Sequence, residues 1–109
     1  MIDWARVKEL QSEIGPEGFA EVLELFLDEV ESVVMNLGAR PDRLGEELHF
    51  LKGSAWNLGF REFGAMCQDG ERKCAAGNCA AVDLRSIITC YGASKEVFMT
   101  RAEEFCRAA

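Results

Sequence analysis

The chain has 109 residues, which is enough for one domain and too few for two, so we expect a single domain over 1–109. Its 12 Lys and Arg against 19 Asp and Glu give a net charge of −7, which argues against nucleic acid and anionic membrane surfaces as partners. No apolar run approaches the roughly 18 residues of a membrane span. No signal-peptide pattern opens the chain either, so we expect a cytoplasmic location.

Apolar residues recur at helical spacing almost throughout, and the alternation typical of strands is nearly absent. A short first helix ends at Gly15, and Pro16 suits the first turn of a second helix, where its missing N–H costs nothing. The second helix runs to about Gly38 and carries an acidic stripe that we interpret as a solvated face. The predicted inward positions are Trp4, Val7, Leu10 and Ile14 in the first helix and Phe19, Val22, Leu23, Phe26, Val30, Val33, Val34 and Leu37 in the second.

Three more helices follow. Asp42 is placed to cap the third helix, Gly59 ends it, and a fourth helix begins at once; Asp83 is placed to cap the last. Their predicted inward positions are Leu44, Leu48, Leu51, Ala55 and Leu58, then Phe60, Phe63, Cys67, Gly70 and Cys74, then Leu84, Ile87, Ile88, Tyr91, Phe98, Ala102 and Phe105. The pattern predicts an all-α fold, an antiparallel up-down-up-down four-helix bundle with a short additional N-terminal helix.

The cysteines favour no disulfide framework, because their number is odd, no export signal precedes them and no CxxC pair occurs. A zinc site would need closely spaced ligand pairs, so we predict no metal site. We interpret the cysteines as buried free thiols, with metal or redox use as the less favoured alternative. They are Cys67, Cys74, Cys79, Cys90 and Cys106.

Any imidazole chemistry must use His49, the only histidine. At about 100° per residue, His49, Lys52, Gly53 and Trp56 share a stripe on the outward side of the third helix. Lys52 can place a positive charge beside phosphoryl oxygens. Gly53 costs about 1 kcal/mol relative to Ala within a helix, but its missing Cβ lets a bulky partner approach the ring. The stripe therefore suggests an imidazole that carries a phosphoryl group.

The run from His49 to Gly59, HFLKGSAWNLG, closely resembles the signature of histidine-containing phosphotransfer (HPt) domains, roughly H-x-L-K-G-S-A-x-N-L-G. Phe26-Leu27, and Cys67 with Glu71, stand where such domains carry F-L and C-x-x-L-E. The resemblance covers essentially the whole chain. Two positions depart from it. Gly70 replaces a bulky apolar residue, which leaves either a thin spot in the core or room for a neighbour, and Trp56 replaces a small or variable residue.

The resemblance implies a phosphocarrier that shuttles phosphoryl groups between receiver-domain aspartates in a two-component phosphorelay. His49 would accept the group on Nε2, Lys52 would stabilise charge, Gly53 would give access, and Ser54 would keep the next turn small. The implied partners are response-regulator receiver domains and a sensor or hybrid histidine kinase. The receiver would supply Mg²⁺, so we expect no cofactor bound by this chain. We expect a monomer without ATP-dependent autokinase activity, since no nucleotide-binding motif occurs.

The turn at Gly59 also predicts which side chain orients the imidazole. His49 precedes this turn by about ten residues, so antiparallel helices would place it level with Gly70 and Glu71. We therefore predict that Glu71 lies near the ring and orients it. Glu46, three residues before His49, is a competing orienter. A solvated Glu71 paired with a nearby Arg or Lys is the remaining alternative.

Two aromatic residues near His49 are candidate docking contacts for a receiver, namely Trp56 and Phe50. Exposed aromatic surface beside a reactive group is a common anchor. The alternative for Trp56 is a ring partly buried against an adjacent helix.

A second class of function also fits a helical domain of this kind, a non-catalytic adaptor that binds receivers. Such an adaptor would be expected to have lost the histidine, so retention of His49, Lys52 and Gly53 disfavours it. Because the chain opens with Met1 and carries no flanking linker, we expect a free-standing shuttle rather than a kinase fragment.

Overall fold

The computed structural model describes residues 1–107, with side chains described as far as residue 102, and it is all-helical over that range. Its elements are α1 (Trp4–Ile14), α2 (Pro16–Met35), α3 (Leu44–Leu58), α4 (Arg61–Ala75) and α5 (Leu84–Arg107), with 3₁₀ turns at Pro41–Arg43 and Cys79–Ala81. No β-strand occurs in the described range. The predicted fold class is confirmed at that level. None of the described helices combines the length and apolarity needed to span a bilayer.

Local chemistry explains most of the helix ends. Asp83 accepts a hydrogen bond from the Ser86 backbone N–H at 3.1 Å, which confirms it as the cap of α5. The predicted cap at Asp42 is wrong, because Pro41 begins a 3₁₀ turn that contains Asp42 and runs directly into α3. Gly59 ends α3 in the left-handed region at φ 82°, a conformation that favours glycine.

Gly59 also allows the start of the chain to approach closely. A Cβ on this residue would lie 2.6 Å from the Asp3 carbonyl oxygen. The Asp3 N–H donates to the Gly59 carbonyl at 2.7 Å, and α1 begins directly after this contact. The turn that reverses α3 into α4 therefore also anchors α1.

The core is centred on aromatic rings from the α3–α4 turn, α4 and α5. Phe60 packs against Phe98 with ring centroids 5.3 Å apart, and Phe63 packs against Tyr91 at 5.2 Å. Ile88 was predicted inward but is 41% exposed, because Ile87 and Tyr91 occupy the core-facing side of α5. The prediction for Phe105 falls outside the described side chains.

The missing side chain of Gly70 makes room for neighbouring side chains and does not leave a poorly packed region in the core. A Cβ there would lie 3.0 Å from Leu48 Cδ1 and 3.3 Å from Val82 Cγ1. Leu48 of α3 therefore occupies the space that a larger residue would fill, and α3 and α4 pack closely at the level of His49.

The prediction that all the cysteines are free thiols is wrong for one pair. A disulfide joins Cys74 and Cys79, whose Cα atoms are 4.1 Å apart, because the end of α4 leads into a 3₁₀ turn that folds back on it. Cys67 is a buried free thiol, and burial raises its pKa to about 12. Burial also raises the pKa of the half-buried Cys90. The Cys106 side chain lies outside the described residues.

Candidate functional site

His49 projects from the outward face of α3. The neighbouring core positions Leu48 and Leu51 are fully buried, so they hold the helix with the imidazole turned away from the core. The His49 side chain is 69% exposed. A partner can therefore reach the ring directly from solvent.

One carboxylate connects the imidazole to the nearby lysine. Glu71 of α4 places Oε2 2.6 Å from His49 Nδ1 and Oε1 2.6 Å from Lys52 Nζ. The predicted proximity of Glu71 to His49 is confirmed. The Lys52 hydrogen bond is the main cause of the lowered pKa of Glu71, and the His49 hydrogen bond lowers it further against the opposing effect of burial. An ionised Glu71 only accepts hydrogen bonds, so it favours a proton on Nδ1 and leaves the lone pair on Nε2.

The competing orienter points elsewhere. Glu46 forms an ion pair with Arg43, with Oε2 3.3 Å from the guanidinium, and its side chain is mostly exposed. The hydrogen bond to His49 Nδ1 is therefore made by Glu71 of α4 and not by a residue of α3, the helix that carries His49.

Gly53 lies one turn beyond His49 at an exposed position, and the following Ser54 is partly buried. Apart from the adjoining backbone of α3 itself, a Cβ built on Gly53 would meet no atom of the described chain within 4 Å. At Gly64 of α4, in contrast, a Cβ would lie 2.5 Å from Cδ1 of Trp56. Helix packing therefore accounts for a glycine at Gly64 but not at Gly53, and the outward face of α3 is open at Gly53.

Trp56 is partly buried against an adjacent helix and partly exposed to solvent, so both of the environments predicted for it are present. One edge of its ring rests against Gly64, yet the residue is 43% exposed. Lys52 Nζ lies 5.8 Å from the centroid of the Trp56 ring, which is a cation–π distance. Trp56 therefore contacts the same lysine that pairs with Glu71. Phe50 instead packs against the core and lines a small cavity with Val33 of α2. The structure thus brings Trp56 to the outward stripe and places Phe50 away from it.

A cavity of about 500 Å³ opens beside the ring, between the start of α3 and the end of α4. Its lining comprises Asp42, Gly45, Glu46, His49, Glu71, Cys74, Ala75 and Cys79. Sequence reasoning did not place the two cysteines here. Cys74 follows Glu71 by three residues, so the helical register of α4 was the signal that both share one face. Within the described residues, no group of three or more His, Cys, Asp and Glu side chains could hold a metal ion.

The family model of the Hpt domain matches residues 21–96 of the chain. The matched range contains His49, Lys52, Gly53 and Glu71, the residues whose geometry is described above. The chain therefore belongs to the Hpt domain family, whose members take part in phosphotransfer in two-component signalling and interact with receiver domains and kinases. Searches of curated proteins and of solved structures gave no match.

The lowered pKa of Glu71 predicts a pH-dependent contribution to stability. An ionised Glu71 stabilises the fold above its ordinary pKa of 4.5, and this contribution is lost as the pH falls through the lowered value. We expect Glu71→Gln to reduce the free energy of unfolding at pH 7 and to have little effect in acid. Urea denaturation of both proteins across this pH range measures the difference.

Glu46→Gln is the matched control, since Glu46 forms its ion pair on the exposed surface, where such pairs contribute little. Its effect at pH 7 should be smaller than that of Glu71→Gln. Equal effects of the two variants would show that the bridge to His49 and Lys52 does not stabilise the fold.

Proposed function

We propose that this protein shuttles phosphoryl groups between receiver-domain aspartates through phospho-His49. The contact between His49 Nδ1 and Glu71, at 2.6 Å, is the observation that carries the proposal. It leaves Nε2 as the nucleophilic nitrogen of an exposed ring. Gly53 supports the proposal because the space above it is open to a large partner.

In the proposed step, the Nε2 lone pair attacks the phosphorus of an aspartyl phosphate on the receiver. The bond between phosphorus and the aspartate oxygen breaks, and the carboxylate leaves with the electron pair. The Nδ1 proton stays in place, where the ionised Glu71 offsets the positive charge that develops on the ring. Lys52, held on the other oxygen of Glu71, adds positive charge near the phosphoryl group. The receiver would hold the Mg²⁺ that neutralises phosphoryl oxygens.

We extend the proposal to the whole chain. Residues 1–109 form one Hpt domain in which α2 to α5 make an up-down-up-down bundle and α1 covers one end. The reversal at Gly59 and the contacts of α5 with α2 and α4 support this arrangement. The protein acts in the cytoplasm as a monomer and binds no cofactor of its own. A sensor or hybrid histidine kinase supplies the phosphoryl group, directly or through a receiver.

A test of the proposal is incubation with individual phosphorylated receiver domains. A cognate receiver should lose phosphate to this chain, and the label should be acid-labile and base-stable, as expected for phosphohistidine. A non-catalytic adaptor would bind a receiver and leave its phosphate in place. That outcome, obtained with every receiver that binds, would replace the shuttle with the adaptor.

Trp56 is predicted to contribute to receiver binding. Its exposed face lies on the His49 stripe, and partly exposed aromatic rings are frequent anchors. We expect Trp56→Ala to weaken receiver binding by about 1 kcal/mol, roughly fivefold, while the helical content stays unchanged. Calorimetric titration with the cognate receiver measures the affinity.

Met35 offers a control for this prediction. It is the most exposed large apolar residue of the described chain and lies at the end of α2, outside the His49 stripe. Met35→Ala should leave receiver affinity unchanged. An equal loss of affinity in both variants would mean that the effect is not specific to Trp56. A loss of helicity in Trp56→Ala would mean that Trp56 acts through folding.

A further inference from the structure

Two cysteine residues line the cavity beside His49, here called the His49 cavity. Cys74, in the last turn of α4, follows Glu71 by three residues and therefore shares its face. Cys79, in the 3₁₀ turn that follows, is bonded to it. Both residues line the cavity together with His49 and Glu71, and both are partly exposed. A small thiol or disulfide can therefore reach this bond from the solvent.

The segment between the two cysteines is closed by backbone hydrogen bonds as well as by the disulfide. The Gly77 N–H donates to the Cys74 carbonyl at 3.0 Å, and the Asn78 N–H donates to the Lys73 carbonyl at 2.8 Å. Opening the disulfide therefore leaves the turn at the end of α4 in place. The reduced and the oxidised protein should both be folded.

The two cysteines differ in the element that carries them, although both pack against the core. Cys74 lies on α4 and packs against α3, where a Cβ on Gly45 would be only 3.4 Å from Cys74 Cβ. Cys79 lies in a three-residue 3₁₀ turn. When the disulfide opens, the two sulfur atoms must separate to van der Waals contact, and the turn that carries Cys79 is the part that can move.

We propose that Cys74 and Cys79 form a reversible thiol–disulfide couple that regulates receiver docking at His49. This inference rests on the proposed function above. The bond forms when one cysteine thiolate attacks a low-molecular-weight disulfide such as glutathione disulfide and displaces a thiolate. The second cysteine thiolate then attacks the mixed disulfide and releases another thiolate. Two thiols of the protein are oxidised, one small disulfide is reduced to two thiols, and an excess of small thiols reverses the exchange.

The Cys74–Cys79 pair affects docking rather than chemistry, because both cysteines line the cavity next to the imidazole and neither contacts the imidazole itself. In the disulfide form, Cys79 is bonded to Cys74, and this bond fixes the conformation of the cavity wall. In the dithiol form, the disulfide no longer holds the 3₁₀ turn of Cys79 against Cys74 of α4. A receiver that covers His49 must then immobilise this 3₁₀ turn, and the ordering opposes binding. The contacts of Glu71 with His49 and Lys52 involve neither sulfur atom. We therefore expect the redox state to change receiver affinity and to leave the transfer rate at saturating receiver unchanged.

The experiment compares the full chain equilibrated with glutathione disulfide and with dithiothreitol. Oxidation should remove two titratable thiols, and the oxidised form should bind the cognate receiver about threefold more tightly or better. Cys74→Ser/Cys79→Ser should bind as the reduced protein does and show no redox response. Cys90→Ser removes a half-buried free thiol and should retain the full response.

Equal receiver affinities in the two redox forms would overturn the proposal, as would oxidation that removes no thiols from Cys90→Ser. Thiol counts and affinities are measured without phosphate, so they do not depend on transfer. If neither form accepts phosphate while their affinities differ, the shuttle function fails and the redox couple stands. If both forms transfer phosphate and bind equally, the redox couple fails and the shuttle stands.

Discussion

Replacing His49 with Gln is expected to abolish phosphoryl transfer to the chain. His49 is the only histidine, so the variant has no imidazole that could accept the group. Glutamine is polar and similar in length, and the His49 side chain is 69% exposed, so the fold should be retained. The measurement is the transfer of labelled phosphate from a phosphorylated receiver to the purified variant.

Binding and folding provide the controls for this result. Receiver affinity should remain within a few fold of the wild type, because the Lys52 and Trp56 contacts with their neighbours do not require the ring. Glu46→Gln, which changes a neighbouring residue on α3, should be labelled normally, since Glu46 pairs with Arg43. Undiminished labelling of His49→Gln would falsify the assignment of His49 as the phosphoacceptor.

Replacing Gly53 with Ala should make the protein more stable and less active. Alanine is favoured over glycine within a helix by about 1 kcal/mol, and its Cβ would meet no described atom within 4 Å. The same methyl group would project from the outward face of α3 one turn beyond His49, where a receiver that reaches the imidazole must pass. Overpacking of this kind costs about 1–3 kcal/mol, so we expect transfer to be slowed by roughly tenfold or more. Urea denaturation and transfer kinetics measure the two effects.

Gly92→Ala is the matched control for Gly53→Ala. Gly92 is exposed within α5, and a Cβ on it would also meet nothing within 4 Å. This variant should gain a similar stability and keep the wild-type transfer rate. If Gly53→Ala were less stable than the wild type, or transferred phosphate as fast as Gly92→Ala does, the glycine would not serve partner access.

The placement of His49 could be predicted from the sequence because it depends on one helix alone. The apolar positions Leu48 and Leu51 determine which side of α3 faces the core, and the ring must then face outward. The proximity of Glu71 was also predictable, since the turn at Gly59 relates heights on two antiparallel helices. The sequence predicted Glu71 but could not exclude Glu46, because that choice depends on the rotation of α4 against α3 and on side-chain rotamers.

The sequence by itself determined the all-helical fold, the outward position of His49 and the family of the chain, since each depends on the local spacing of residues. Only the tertiary structure decided the contacts between elements. It joined Glu71 to both His49 and Lys52, rested Trp56 on Gly64, and bonded Cys74 to Cys79 at the edge of the same cavity. The physical reason is that helical periodicity specifies which face of a helix is buried, whereas contacts across faces depend on how closely helices approach and where the connecting turns lead.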